Sequence, residues 1–159
     1  MIIIGIMAID PNGVIGVSNG LPWHYPSELS HFHQTTYKKT IVMGRKTFGT
    51  MPQSVLKNRT PIIFSRNKLN PYFSGGIKYT FVSSMQEFFS IKNNSEIYMI
   101  GGAQIAHLFL RHGLISTFII TEIHNPCKGD VYFNLMLLNG WSKTILTKTQ
   151  DYTICRLTR

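Results

Sequence analysis

The segment from Gly13 to Phe32 carries a single carboxylate, Glu28, among apolar and aromatic neighbours, in a chain with only seven acidic residues against sixteen lysines and arginines. Glycines at 13, 16 and 20 make a pliant loop, Pro22 and Pro26 fix its exit, and the residues that follow read as a helix. Glu28 and Phe32 are four apart and therefore share one helical face. A carboxylate beside an aromatic wall, next to a glycine-rich loop, is what a pocket for a flat, nitrogen-rich ligand needs. The bland alternative is an exposed first-turn acid that complements the helix dipole.

Two further stretches suit anions. In Ile41-Val-Met-Gly44-Arg45-Lys46-Thr47 an apolar strand ends at glycine, and the next helix opens with two cations and a hydroxyl. In Ile97-Tyr-Met-Ile-Gly101-Gly102-Ala103-Gln104-Ile105 paired glycines let backbone approach a ligand, and a helix N-terminus presents unpaired N–H groups. Arg66, after Ser65, closes a third strand on the side where Arg45 emerges, so two guanidiniums can grip one phosphate bidentately. Together these junctions suit a dinucleotide lying across the carboxyl ends of the strands. Ordinary tight turns and solvated strand ends are the competing reading, and the absence of Gly-x-Gly-x-x-Gly disfavours a Rossmann domain proper.

Other chemistries find less support. His31 and His33 are two apart and His107 and His112 five apart, so neither pair sets two imidazoles on one helical face, and no metal is expected. Cys127 and Cys155 are too few for a disulfide framework and read as reduced thiols of a cytoplasmic protein. The net charge of +9 is scattered along the chain, which attracts nucleic acid weakly, and no nucleic-acid-binding motif accompanies it. Small anions satisfy the excess equally well. The apolar runs are too short to span a bilayer, and Ile2 to Ile9 lacks the basic flank of a signal segment, so it reads as a first core strand.

The elements that must hold these residues alternate. At 159 residues, 43% apolar and 14% charged, the chain is the size of one globular domain spanning residues 1–159. Short β-branched runs at Ile2–Ile9, Thr40–Gly44, Pro61–Ser65, Ile77–Val82, Glu96–Gly101 and Thr117–Ile123 are separated by helical stretches at Pro26–Tyr37, Lys46–Met51, Met85–Ile91 and Ala103–Arg111, the pattern of a largely parallel α/β sheet. Ser84 and Glu87 have the spacing of a capping box. Trp141–Lys148 and Tyr152–Leu157 read as an antiparallel hairpin at one edge, and residues 66–76 as a surface loop.

The ordered elements Val14-Ile-Gly16, Asn19, Leu21-Pro-Trp23, Pro26, Glu28-Leu29, Phe32, Met43-Gly-Arg45-x-Thr47-Phe48, Arg59, Ser65-Arg66, Ile100-Gly-Gly102, Thr121 and Gly129-Asp130-x-Tyr132-Phe133 resemble dihydrofolate reductase over nearly the whole chain. The resemblance implies an α/β domain with a mostly parallel eight-stranded sheet, an antiparallel C-terminal edge hairpin and helices on both faces. It implies NADPH as cofactor, dihydrofolate as substrate, and Glu28, Trp23 and Thr121 as the catalytic group. Ile6, Leu29, Phe32, Met51, Leu56 and Ile100 would line the substrate, and Arg59 would clamp its glutamate carboxylate. Ile15, Asn19 and Leu21 would cover the nicotinamide. Gly44, Arg45, Lys46, Thr47, Gly101, Gly102, Ala103, Gln104 and Ile105 would hold the pyrophosphate, and Ser65 with Arg66 the 2'-phosphate. A monomer open to antifolate inhibitors is implied as well.

The chain departs from the family's pattern at Ile6, where alanine is common, at His33 for lysine, Ala106 for tyrosine and Asn134 for proline. A reductase of another pterin, or of a pyrimidine intermediate of flavin synthesis, is the nearer alternative. A basic nucleic-acid-binding module is the remote one.

Overall fold

The computed structural model describes residues 1–16, 22–67, 72–92 and 95–159. Eleven strands form among them: β1 (Ile2–Ile9), β2 (Val14–Gly16), β3 (Thr40–Gly44), β4 (Thr60–Phe64), β5 (Tyr72–Ser74), β6 (Ile77–Val82), β7 (Glu96–Gly101), β8 (Ile115–Ile123), β9 (Val131–Tyr132), β10 (Ser142–Lys148) and β11 (Tyr152–Thr158). The helices are α1 (Pro26–Thr36), α2 (Arg45–Thr50), α3 (Gln53–Leu56), α4 (Met85–Ser90) and α5 (Ala103–Arg111), with one 3-10 turn at Leu135–Leu138.

The main sheet runs in the order β10-β11-β8-β1-β7-β3-β4-β6-β5. From β8 to β6 every neighbour is parallel, and β11 and β10 complete that edge antiparallel. The eight strands read from the sequence are all present. The ninth, β5, is three residues pairing antiparallel with β6, so the stretch 66–76 is not wholly loop. Strands this short carry too few residues for an alternating pattern to register.

Central strands are apolar on both faces because helices cover both. Ile41, Val42 and Met43 of β3 are all fully buried, and alternate residues divide between two clusters. Ile3, Met7 and Ile9 of β1, Val42, Ile97, Met99, Phe118 and Ile120 pack with Phe88 of α4 and with Ile105, Ala106 and Phe109 of α5. Ile6, Ile41, Met43, Tyr98, Ile100, Ile119 and Ile123 pack on the opposite face with Phe32 of α1, Phe48 of α2 and Leu56 of α3. Gly5 keeps β1 and β8 in register, since a Cβ there would lie 2.7 Å from the Phe118 ring. The edge strand β10 is exposed along its length, and Lys143 and Lys148 on it oppose unwanted strand addition.

At α4 the expected cap forms with one change. Ser84 Oγ accepts the Glu87 N–H at 3.1 Å, but the Glu87 carboxylate accepts from the N–H of Ser83 at 2.7 Å, one residue ahead of the cap. A separate antiparallel pair, β2 with β9, stands beside the first loop. Asp10 braces that loop: its Oδ1 accepts from the N–H groups of Asn12 (2.9 Å) and Val14 (2.7 Å), and its Oδ2 from Cys127 N–H at 2.8 Å.

Candidate active site

Glu28 enters the structure in the first turn of α1, where Pro26 fits because the backbone N–H it lacks would have no helical partner there. Only 7% of Glu28 is exposed, which removes the reading of a solvated, dipole-complementing acid. Burial raises its pKa above the ordinary 4.5, and a hydrogen bond from the Thr121 hydroxyl draws it partly back down. Thr121 is itself buried, held in β8 between Ala8 of β1 and Ile154 of β11. Desolvation thus opposes ionisation while one oriented donor stabilises the anion, leaving a carboxyl that keeps its proton to a higher pH than an exposed glutamate.

Most of the expected substrate wall gathers on this same face. Ile6, Trp23, Leu56 and Ile100 are buried there, and Phe32, Phe48 and Met51 are partly buried against them; Leu29 is half-buried and lies outside the cluster. The Trp23 indole Nε1–H is buried with no acceptor among the described residues. A buried donor left unpaired is costly, so this atom fits a pocket meant to be filled by a polar ligand.

Arg59 is buried and its guanidinium is committed internally. Nε donates to Thr36 Oγ1 at 3.0 Å, one terminal nitrogen to the carbonyls of Val55 and Lys57, and the other to the carbonyl of His33 (3.1 Å) and its Nδ1 (3.3 Å). Arginine has only donors, so the His33 Nδ1 must present a lone pair. Arg59 thereby caps the carbonyl ends of α1 and α3 with positive charge. The His33 ring nitrogen, at 3.3 Å, is the most distant of these partners.

At the carboxyl ends of β3 and β7 the two glycine junctions meet. A Cβ on Gly44 would lie 3.1 Å from Ile105 Cγ1, and one on Gly102 would lie 3.2 Å from Thr47 Oγ1. The openings of α2 and α5 are therefore in contact, and side chains at either glycine would fill the space between them. Gly101 has a φ of +104°, a conformation L side chains rarely adopt, and its peptide bond to Gly102 is cis. Around this cradle Arg45, Lys46, Arg66 and Gln104 are exposed, Thr47 and Ala103 are half-buried, and Ile105 is buried. Ser65 is buried, and its Oγ has no partner among the described residues. Ile15, on β2, packs on the cluster that also holds Ile105.

Asn19 and Leu21 lie outside the described residues. Sequence reasoning missed Phe48, which packs in the same apolar cluster with its ring edge-on to Tyr79 and Phe81, and it missed Asp10, whose Asp-Pro-Asn-Gly context is a turn signal. Among the described residues no group of three or more His, Cys, Asp or Glu is arranged to hold a metal, and no helix is long and apolar enough to cross a membrane.

A buried acid with its own donor on one face, and a glycine-walled cradle ringed by cations at the strand ends, define a site for a flat polar ring beside a phosphorylated cofactor. A family model described as dihydrofolate reductase matches residues 2–155. The dihydrofolate reductase of Lactococcus lactis subsp. lactis (strain IL1403) is 36% identical over 151 residues, covering 94% of this chain and 88% of that protein. That of Bacillus subtilis (strain 168) is 35% identical over 137 residues, 86% of this chain and 77% of that one. Among solved structures, dihydrofolate reductase from Enterococcus faecalis complexed with NADP(H) and RAB-propyl superimposes with a TM-score of 0.75 at 27% identity, covering 99% of this chain and 94% of that one. The chain belongs to the dihydrofolate reductase family.

Proposed function

We propose that this protein reduces 7,8-dihydrofolate to 5,6,7,8-tetrahydrofolate with NADPH, serving one-carbon metabolism as a monomeric, cytoplasmic, single-domain enzyme spanning residues 1–159. When bound, NADPH supplies the hydride that reaches C6 of the pterin. Glu28 carries the reading: a buried carboxyl with one internal donor can accept from N3–H and the 2-amino group of the ring. Held there as the carboxylate, it fixes the ring, biases its electron density and favours protonation of N5 through water. Thr121 orients the carboxylate, and the unpaired Trp23 Nε1–H offers a donor to the same polar edge. Ile6, Leu29, Phe32, Met51, Leu56 and Ile100 exclude water from the ring and the benzoyl group.

On the cofactor side, Gly44, Gly101 and Gly102 let backbone come close to a pyrophosphate. Arg45, Lys46 and Thr47, with Ala103, Gln104 and Ile105 at the start of α5, receive its charge. Ser65 and Arg66 suit the adenosine 2'-phosphate, and Ile15 forms a wall beside the nicotinamide. Arg59 takes the substrate's carboxylate by displacing His33. Antifolates that carry a protonated, amino-substituted ring are expected to bind Glu28.

The test is the purified protein with NADPH and dihydrofolate, followed by loss of NADPH absorbance. Turnover is expected with dihydrofolate, together with a much higher Michaelis constant for a dihydropterin lacking the glutamate tail. No NADPH oxidation with dihydrofolate would overturn the assignment.

A further inference from the structure

His107 stands on α5, the helix whose first turn belongs to the proposed cofactor cradle, yet its contacts are made with Phe133 and Asn134, the two residues that follow β9. Its Nε2 accepts the backbone N–H of Asn134 at 3.1 Å, and its ring lies tilted against Phe133, centroids 5.3 Å apart. Accepting that bond requires a neutral imidazole with its proton on Nδ1. Partial burial and the nearby Arg111 both disfavour the charged form. The Asn134 side chain turns the other way along the chain, its Oδ1 accepting the N–H of Met136 at 3.1 Å.

From Phe133 the contact runs on into the first loop. Phe133 is buried with its ring edge-on to Phe118, and its N–H donates to the Gly13 carbonyl at 2.8 Å. A Cβ on Gly13 would come within 2.7 Å of the Phe133 carbonyl oxygen, so the two backbones are in close approach. Directly ahead of Phe133, Tyr132 pairs with Val14 and Val131 with Gly16, which places Ile15 at the centre of the strand so held. β2 and β9 are three and two residues long, and strands this short have little stability of their own.

We propose that His107 is a positioning residue for the reductase reaction: by fastening Phe133 and Asn134 to α5, it sets where β2 and Ile15 stand relative to the cradle at the start of that helix. The inference rests on the reading of Ile15 as a wall of the nicotinamide site. Losing the contact lowers the fraction of molecules with the arm in place, and apparent cofactor affinity falls by that fraction. For one partly exposed hydrogen bond the expected change is about three-fold.

The test is a double-mutant cycle on the full-length protein, titrating NADPH and dihydrofolate separately. His107→Phe keeps a ring and removes the acceptor, and His107→Gln keeps an acceptor. Asn134→Pro removes the N–H at a residue whose φ of −79° a proline ring accepts. His107→Phe is expected to weaken NADPH binding about three-fold with dihydrofolate affinity unchanged, His107→Gln to recover most of the loss, and His107→Phe to add nothing once Asn134 is proline. Equal losses in both backgrounds, equal behaviour of Phe and Gln, or a matching loss of dihydrofolate affinity would each overturn the positioning role. Ile15→Ala separates the two levels of the argument. Unchanged NADPH affinity in Ile15→Ala would overturn the reading of β2 as a cofactor wall and the role of His107 with it. A normal Ile15→Ala effect alongside an additive cycle would overturn the His107 role alone.

Discussion

The two halves of the site are built from opposite materials. The acid pocket is made of buried side chains, with Glu28 desolvated, Thr121 donating to it, Trp23 Nε1 unpaired, and Arg59 tied to five internal acceptors. The proposed phosphate cradle is made of glycine backbone and exposed cations at Arg45, Lys46 and Arg66. Charges in a dry pocket act strongly and specifically, whereas exposed charges act weakly and are screened. Substitutions in the first half should therefore be severe and insensitive to salt, and those in the second moderate and sensitive to it.

Arg59→Ala should have the largest effect on substrate binding. It removes both the proposed carboxylate clamp and the cap on α1 and α3, so the Michaelis constant for dihydrofolate should rise by roughly a hundred-fold, the size of a lost bidentate ion pair. A tailless dihydropterin should be affected far less, and melting temperature should also drop. Equal effects on both substrates in steady-state kinetics would reduce Arg59 to its capping role.

Arg45→Ala and Arg66→Ala should each weaken NADPH by about ten-fold at low ionic strength, and the loss should shrink as salt screens the partners that remain. Titrations at two salt concentrations decide it. A salt-independent loss would mean that these arginines act through structure rather than charge, and the contrast between the halves would blur.

Smaller shifts come from within the acid pocket. Thr121→Val removes the one hydrogen bond that lowers the Glu28 pKa, so the alkaline limb of the rate profile should move to higher pH. Glu28→Gln should raise melting temperature near neutral pH. The folded pKa of Glu28 lies above its unfolded value, so its stabilising contribution is complete only below about 4.5 and is lost as pH rises through the folded pKa. The advantage of glutamine should accordingly close as pH falls toward 4.5, and a constant difference across that range would contradict the burial assigned to Glu28.

How much of this was legible in the sequence follows from the range of each interaction. Eight strands and the four longer helix candidates showed themselves because β-branched runs and helical spacing are local signals. Glu28 stood out by composition, but its burial came from β8, far along the chain, and only the motif order made the acid more persuasive than a helix-dipole partner. The convergence of Gly44 with Ile105 and of Gly102 with Thr47 was implied by two glycine turns and fixed by the parallel sheet. What escaped was short or distant. β2, β9 and α3 have four residues or fewer, and the bond from Asn134 to His107 spans 27 residues. The internal bonds of Arg59 escaped for the same reason, since three of its acceptors lie on α1.

The most direct test of the account is the pH dependence of the hydride-transfer step, by single turnover, in the wild-type protein and in Glu28→Gln. With Glu28 as the group that holds the pterin and favours N5 protonation, the wild-type rate should fall as pH rises through an apparent pKa above 4.5. Glu28→Gln should be slower by about a hundred-fold or more and should lack that transition. A Glu28→Gln enzyme that turns over at the wild-type rate with the same profile would contradict it.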